Sequence, residues 1–392
     1  MTTNDSLIPG FATGLPSAAS SITGKVVVDR AALKRMRSGD PWLRADDVIG
    51  YDGDDGAFAD AVDDDGLPVG TVLWDRHSDR RARLLSTTRT RDPIALLSTR
   101  LERAEHRRKS DLKNADAFRL CHGDADGVPG VYIDRFGDAL HVDVDSAVWL
   151  PWLEPLLAGT LQRQQTASLV LRHADRTELL RGTSAVARYG EGQLRLDVDL
   201  AADDVRRLSA ELDAMQRLRS FARGRTLDVF ANGGGFGLHL AQAGAQLSTI
   251  VDVSDHHATR VRGFATDNGL SERVEVIDAE PLAWLRQAQR SFDLVVCHPP
   301  HERLPPEQAE RKAVEVAASA LRLVGEGSLF CARTSSNSLD DDRFAAALAD
   351  VAAPLRRRLQ VLARLGPGAA HPTVAGMPMA PSILVLRVLS TG

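Results

Sequence analysis

The chain has 392 residues, 43% of them hydrophobic and 26% charged, with a formal net charge of −5. That length exceeds one ordinary core, so two or three domains of a soluble globular protein are expected. No apolar run reaches the roughly 18 residues a membrane span needs, and the negative balance excludes a chain that is basic throughout, as many nucleic-acid binders are.

The N-terminal stretch, residues 1–23, is polar and rich in small residues, without a basic region followed by an apolar core. It is expected to be a disordered leader and not a secretory signal. Residues 24–92 hold short alternating runs, GKVVVD, GAFADAV, PVGTVLW and RARLLS, punctuated by a DDDG turn. This pattern predicts a small β-barrel. Charge is uneven here: residues 46–65 are rich in Asp, and 76–109 are rich in Arg. The arginines can be read as solvated faces or as a phosphate-tracking patch, in which Arg80, Arg81 and Arg83 would contact RNA.

Residues 93–205 open with an amphipathic helix that places Leu96, Leu97, Leu101 and Ala104 on one side. Two alternating runs joined by Phe136-Gly137-Asp138 then predict a hairpin. WLPWLEPLLAGTLQRQ reads as a helix, and SLVLRH and GQLRLDVDL as strands. The expectation is a central α+β domain of hairpin, helix and hairpin. Residues 201–222 read as a helix, and the last domain, over 206–392, shows regular alternation: strands TLDVFA, LSTIVDVS, VEVIDA, DLVVCH, GSLFCAR, LQVLARL and ILVLRVL, separated by helical stretches. Such alternation predicts an α/β domain with a parallel sheet covered on both faces.

Three strand ends carry a ligand pattern. LDVFANGGGFG joins Asp228 to a glycine turn, Gly233 to Gly235, and a helix starting near Phe236. Its N–H groups suit a carboxylate or phosphate. Asp252 closes the next strand, where an acid can take both hydroxyls of a ribose. Asp278 and Ala279 close the third, where an acid beside an apolar residue suits an adenine ring. NAD and S-adenosylmethionine both fit this set, and GGGFG in place of GxGxxG favours the second. The fourth strand ends in Cys297-His298-Pro299-Pro300. His298 can act as a base or bond a base edge there.

These residues carry a family resemblance over nearly the whole chain. LCHGDADGVPGVYIDRFGD (120–138), LDVFANGGGFGLHLAQAGA (227–245) and GAAHPTVAGMP (368–378) resemble segments of the large-subunit ribosomal RNA cytosine-5 methyltransferases. The resemblance implies a PUA-like barrel over 24–92 and a Rossmann-like class I methyltransferase domain over 206–392. It implies S-adenosylmethionine bound through Asp228, Gly233, Gly235, Phe236, Asp252, Asp278 and Ala279, and RNA, in the first instance ribosomal, as partner on the side of Pro299 and Pro300. A cytoplasmic protein is expected, with no membrane association, and a homodimer is held open.

The departures bear on chemistry. Such enzymes add a cysteine thiolate to C6 of the base before methylating C5. Thr334 stands where that nucleophile belongs, His298 replaces an acid, and AADDVRRLSAELDAMQR (201–217) lacks the family's Gly-Gln-Lys-Thr-Gly stretch. Cys331 should point to the face opposite position 334, and Cys297 away from His298. The three cysteines are odd in number and scattered, against a disulfide framework or a zinc site, and no metal is expected. Two readings stand: a methyltransferase with altered catalytic groups, His298 and Thr334 among them, or a catalytically degenerate protein that keeps the fold for RNA binding or scaffolding.

Overall fold

The computed structural model describes residues 22–113, 115–253, 255–299, 305–333, 340–374 and 382–391. Pro300, Thr334 and nearly all of the expected leader lie outside the described residues. The chain divides into two compact units. The first holds residues up to Tyr189, Asp197–Val205 and the stretch from Ala369 to Pro378, and the second holds Gly190–Leu196, Arg206–Gly368 and the chain's last residues.

In the first unit, six strands form a mixed sheet in the order Trp42–Leu43, Ala82–Ser86, Pro68–Trp74, Phe58–Val62, Gly24–Val28, Val48–Asp52. Gly24–Val28 runs parallel to Phe58–Val62, and the other pairs are antiparallel. The Asp-rich run supplies turns and ion pairs. Asp63 Oδ1 accepts from the Asp65 and Leu67 amides at 3.1 and 2.8 Å, closing the hairpin, and Asp47 pairs with Arg35 at 2.5 Å. A helix at Arg30–Arg37, capped by Asp29, was not expected from the sequence. It buries only Ala32 and Met36, too few apolar positions for a helical period to stand out.

A second sheet in this unit has the order Arg176–Arg181, Ser168–His173, Ala139–Val144, Val131–Phe136, Ala117–His122. The central hairpin turns at Gly137-Asp138, and the helix Leu153–Gln164 links it to an outer hairpin in which Ser168–His173 pairs with Arg176–Arg181; the other strand expected there, Leu194–Asp199, pairs instead with Val186–Glu191 in a two-stranded sheet of its own. Phe58, Leu73 and Leu85 of the first sheet share one apolar cluster with Leu97, Leu101 and Trp149. The expected boundary at residues 92 and 93 therefore runs through a common core. The LCHGDADG segment is an ion-pair hub: Asp126 accepts from the His122 amide and from Arg107 and Arg108, and Arg119 pairs with Asp134 at 2.5 Å. The returning stretch joins it, since Arg108 also donates to the Ala370 carbonyl at 3.1 Å and the His122 and His371 rings meet edge-on.

The second unit is a seven-stranded sheet. In chain order its strands are Arg225–Val229, Leu247–Asp252, Val274–Asp278, Phe292–Cys297, Val324–Ala332, Arg357–Leu365 and Ile383–Ser390. In space they run third, second, first, fourth, fifth, seventh, sixth. The first five are mutually parallel, and the seventh is antiparallel to both its neighbours. The parallel strands are apolar on both faces because helices cover both. Helices Val205–Leu218 and Gly235–Gln242 pack Met215, Leu218, Phe236 and Leu240 on Leu294, Val296, Leu329 and Cys331. Helices Pro306–Leu321 and Asp341–Ala352 pack on the alternate residues, Val295, Cys297, Phe330 and Ala332. Cys297 and His298 thus lie on opposite sides of the sheet, as the strand period requires.

Candidate functional site

The chain order of the sheet reverses between its first and fourth strands, which pair directly, Val229 beside Cys297. Open α/β sheets form a crevice beyond the carboxyl ends of the strands at such a point. Two loops meet there: the glycine loop after Val229 and the His298-Pro299 segment after Cys297.

The glycine loop is tightly wound. Phe230, Asn232, Gly233 and Gly234 all have positive φ, at 63°, 44°, 88° and 77°. A bulky residue such as Phe230 rarely adopts that conformation, so the neighbours must hold it. The Phe230 amide bonds the Val251 carbonyl at 3.2 Å, and the Asn232 amide donates to Asp252 Oδ2 at 2.8 Å. The Asp252 carbonyl in turn accepts from the Ala279 amide at 3.1 Å, so the ends of the first three strands are stitched together. Asp278 beside it is exposed. Added side-chain atoms at Gly234, Gly235 or Gly237 would strike Val261, Met215 or Ile250, whereas at Gly233 they would meet none of the described residues within 4 Å. The open side of the loop is therefore at Gly233, and Gly235 can offer a ligand only its amide. Phe236 is corrected in the same way. Its ring is 2% exposed within the apolar cluster, so only its backbone N–H, in the helix's first turn, faces outward chemistry. Asp228 is buried under the loop and accepts from the Gly237 amide at 2.8 Å. Burial, reinforced by the charges of Glu211 and Asp252, pushes its carboxyl up to about 7.

On the other side of the crevice is a charged cluster that the sequence reading missed. Arg207 Nη2 donates to the carbonyls of Phe230 and His298 at 2.8 and 2.7 Å, clamping the ends of the first and fourth strands. Arg207 Nε pairs with Glu211 Oε1 at 3.0 Å, and the same carboxylate meets His298 Nδ1. Arg333, at the end of the fifth strand, adds its charge to Glu211. Burial alone would raise the Glu211 carboxyl, but Arg207, His298 and Arg333 hold it at about 2. Burial lowers His298 to about 4, against the upward pull of Glu211. The charges around Glu211 thus favour its anion, and burial favours the neutral ring of His298. A signal was available, because Arg207, Glu211 and Met215 fall at i, i+4 and i+8. A charged pair in line with an apolar stripe marks a buried ion pair.

Other expected site residues fare differently. Arg83 is 1% exposed, with its guanidinium taken by Asp75 at 3.0 Å and Asp145 at 2.9 Å, so it cannot contact RNA as expected. Arg80 is exposed and stacks on Trp42, while Arg81 donates to the Arg76 carbonyl. Pro299 is buried beside His298. All three cysteines are buried and free, and burial pushes the Cys121 and Cys297 thiols up to about 12 and Cys331 further in the same direction.

Comparison with known proteins adds the following. Residues 26–87 match the model of a PUA-like domain. A ribosomal RNA large subunit methyltransferase of Deinococcus radiodurans is 29% identical over 80% of this chain and 82% of its own length. A ribosomal RNA large subunit methyltransferase I of Erwinia tasmaniensis is 25% identical over 91% and 97%. Among solved structures, a Streptococcus mutans protein assigned as a SAM-dependent methyltransferase superposes with a TM-score of 0.79 at 15% identity, covering 92% of this chain and 99% of its own. A second protein assigned as a methyltransferase, solved with SAH, gives 0.81 at the same identity and coverage. Among the described residues, no helix is long and apolar enough to cross a membrane. The antiparallel seventh strand between fifth and sixth departs from the wholly parallel dinucleotide-binding order; with these superpositions it identifies a class I S-adenosylmethionine-dependent methyltransferase fold, which follows the PUA-like domain matched over residues 26–87.

Proposed function

We propose that the protein transfers a methyl group from S-adenosylmethionine to RNA, ribosomal RNA in the first instance, without a cysteine nucleophile. The observation that carries the reading is the stitched crevice at the switch point, with its open side at Gly233 and Asp252 at its rim. Relatives described as ribosomal RNA methyltransferases and a matching fold solved with SAH support it. The residues fit the cofactor. The amides of Gly233, Gly235 and Phe236 would take its charged end, Asp252 the ribose, and Asp278 and Ala279 the adenine. The cofactor supplies an electrophilic methyl group on a sulfonium.

Cytosine C5 needs a thiolate added to C6 before it can react. The chain has three cysteines in all, and each is buried with its thiol held well above the range in which thiolates form. The acceptor is therefore a nitrogen or an oxygen. Thr334 and Pro300 keep their proposed places near the acceptor by sequence position alone, and Arg80 and Arg81 remain the proposed RNA contacts of the first unit.

Calorimetry with S-adenosylmethionine tests the cofactor site, and transfer of labelled methyl to an unmodified large-subunit ribosomal RNA transcript tests the reaction. Binding that is lost in Asp252→Ala, with transfer, is expected. Binding without transfer, or no heat at millimolar cofactor, would refute the methyltransferase reading and return the degenerate one.

A further inference from the structure

We propose that Glu211 and His298 work as a proton-accepting pair, with His298 Nε2 taking the proton that leaves an N–H or O–H acceptor on the RNA during methyl transfer. This rests on the methyltransferase reading and narrows its substrate class to acceptor atoms that carry a proton.

The contact with Glu211 selects the tautomer. Glu211 Oε1 meets His298 Nδ1, and a carboxylate can only accept, so the proton of the neutral ring sits on Nδ1. The lone pair is then on Nε2, which is the state a general base requires. The ring cannot drift, because Arg207 fixes the His298 carbonyl at 2.7 Å and holds Glu211 at 3.0 Å from its own helix. Among the described residues, the charged groups facing the pair are Arg207 from the same helix as Glu211 and Arg333 from the fifth strand, with Asp228 beyond Glu211 on the first. His298 also stands beside the glycine loop. Arg207 Nη2 donates to both the Phe230 and the His298 carbonyl, at 2.8 and 2.7 Å, which sets the two residues side by side at the strand ends.

The step balances without a further reagent. The acceptor's lone pair forms the bond to the methyl carbon while the carbon–sulfur bond breaks and leaves its electrons on sulfur. The acceptor's proton passes to Nε2, and Glu211 stabilises the imidazolium that results. His298 is then a catalytic residue and Glu211 a positioning one.

Two measurements test the pair. Nitrogen-15 NMR of histidine-labelled protein, with the His298 signals assigned by difference from His298→Gln, should show an Nδ1–H, Nε2-unprotonated ring at neutral pH. An Nε2–H ring or an imidazolium overturns the proposal, whatever the variants do. In the second, methyl transfer from labelled S-adenosylmethionine to the ribosomal RNA transcript is followed against pH. His298→Gln should lose about 100-fold or more, keep cofactor affinity by calorimetry, and recover part of the rate with added imidazole. Glu211→Gln should lose about tenfold and move the acid limb of the profile to lower pH, a shift that a merely structural residue would not cause. Transfer at the wild-type rate in His298→Gln, or an unmoved limb in Glu211→Gln, overturns the pair but leaves the methyltransferase reading intact. No transfer by the wild-type protein overturns that reading and the pair with it.

Discussion

Arg207→Met removes the clamp over the first and fourth strands while keeping the length and much of the apolar stem of the side chain. Three acceptors lose a charged donor: Glu211 and the carbonyls of Phe230 and His298. Breaking a buried pair by deleting one partner typically costs about 3–5 kcal/mol. Arg333 and His298 still face Glu211, so the lower end applies, and the two carbonyls add about 1 kcal/mol each. The expected loss is about 5 kcal/mol, comparable with the whole stability of many domains. Hydrogen exchange read by mass spectrometry gives the opening free energy of peptides covering 225–236 and 292–299, with peptides of the first unit as internal control. Protection should fall in both segments together. Adding Glu211→Gln to Arg207→Met should restore about 2 kcal/mol, because no uncompensated carboxylate remains. A single-variant effect under about 1 kcal/mol, or a double variant that loses the sum of the two singles, would refute the clamp.

Three further outcomes are expected. Asp228 is raised from 3.8 to about 7, so the folded state holds its proton longer and its contribution falls as pH climbs through that window; His298 is lowered from 6.5 to about 4, so its contribution is lost as pH falls through its own. The two slopes oppose between about pH 4 and 6.5, and Asp228→Asn should therefore gain roughly 3 kcal/mol on the wild type across that range, read from urea midpoints; parallel curves would contradict the assignment. Arg83→Ala should destabilise the first unit by about 3 kcal/mol, whereas Arg80→Ala should leave stability unchanged and weaken RNA binding with a shallower salt dependence, by filter binding; the reverse pattern would put Arg83 at the surface. Iodoacetamide at pH 8 should label none of the three cysteines until the protein is unfolded, and rapid native labelling of any one would reopen thiolate chemistry.

Much of the second unit was legible because parallel strands buried on both faces leave long apolar runs, and LDVFA, TIVDV and DLVVC need no partner to be read. The glycine loop was legible for the same reason, since positive φ demands recognisable residues at Gly233 and Gly234. The His298 cluster was not. It is assembled from a helix, the fourth strand and the fifth, and the pairing of Glu211 with His298 spans 87 positions that no local period connects. The arginine run misled in a related way. Composition shows that Arg83 carries a charge but not that Asp75 and Asp145 enclose it, because burial of a paired ion is a property of the tertiary core.

The first unit takes back a piece of chain from far downstream, and this has a consequence for the order of synthesis. Arg108 is nearly inaccessible in the finished protein, yet one of its acceptors, the Ala370 carbonyl, is 262 positions later. Domains generally fold from the N-terminus as the chain emerges from the ribosome. Here the N-terminal unit must wait, with its ion-pair hub open on one side, until almost the whole second unit has been made. A ribosome stalled after Gly368 should carry a first unit that is already compact but more readily cut by protease at the LCHGDADG segment than in the released protein.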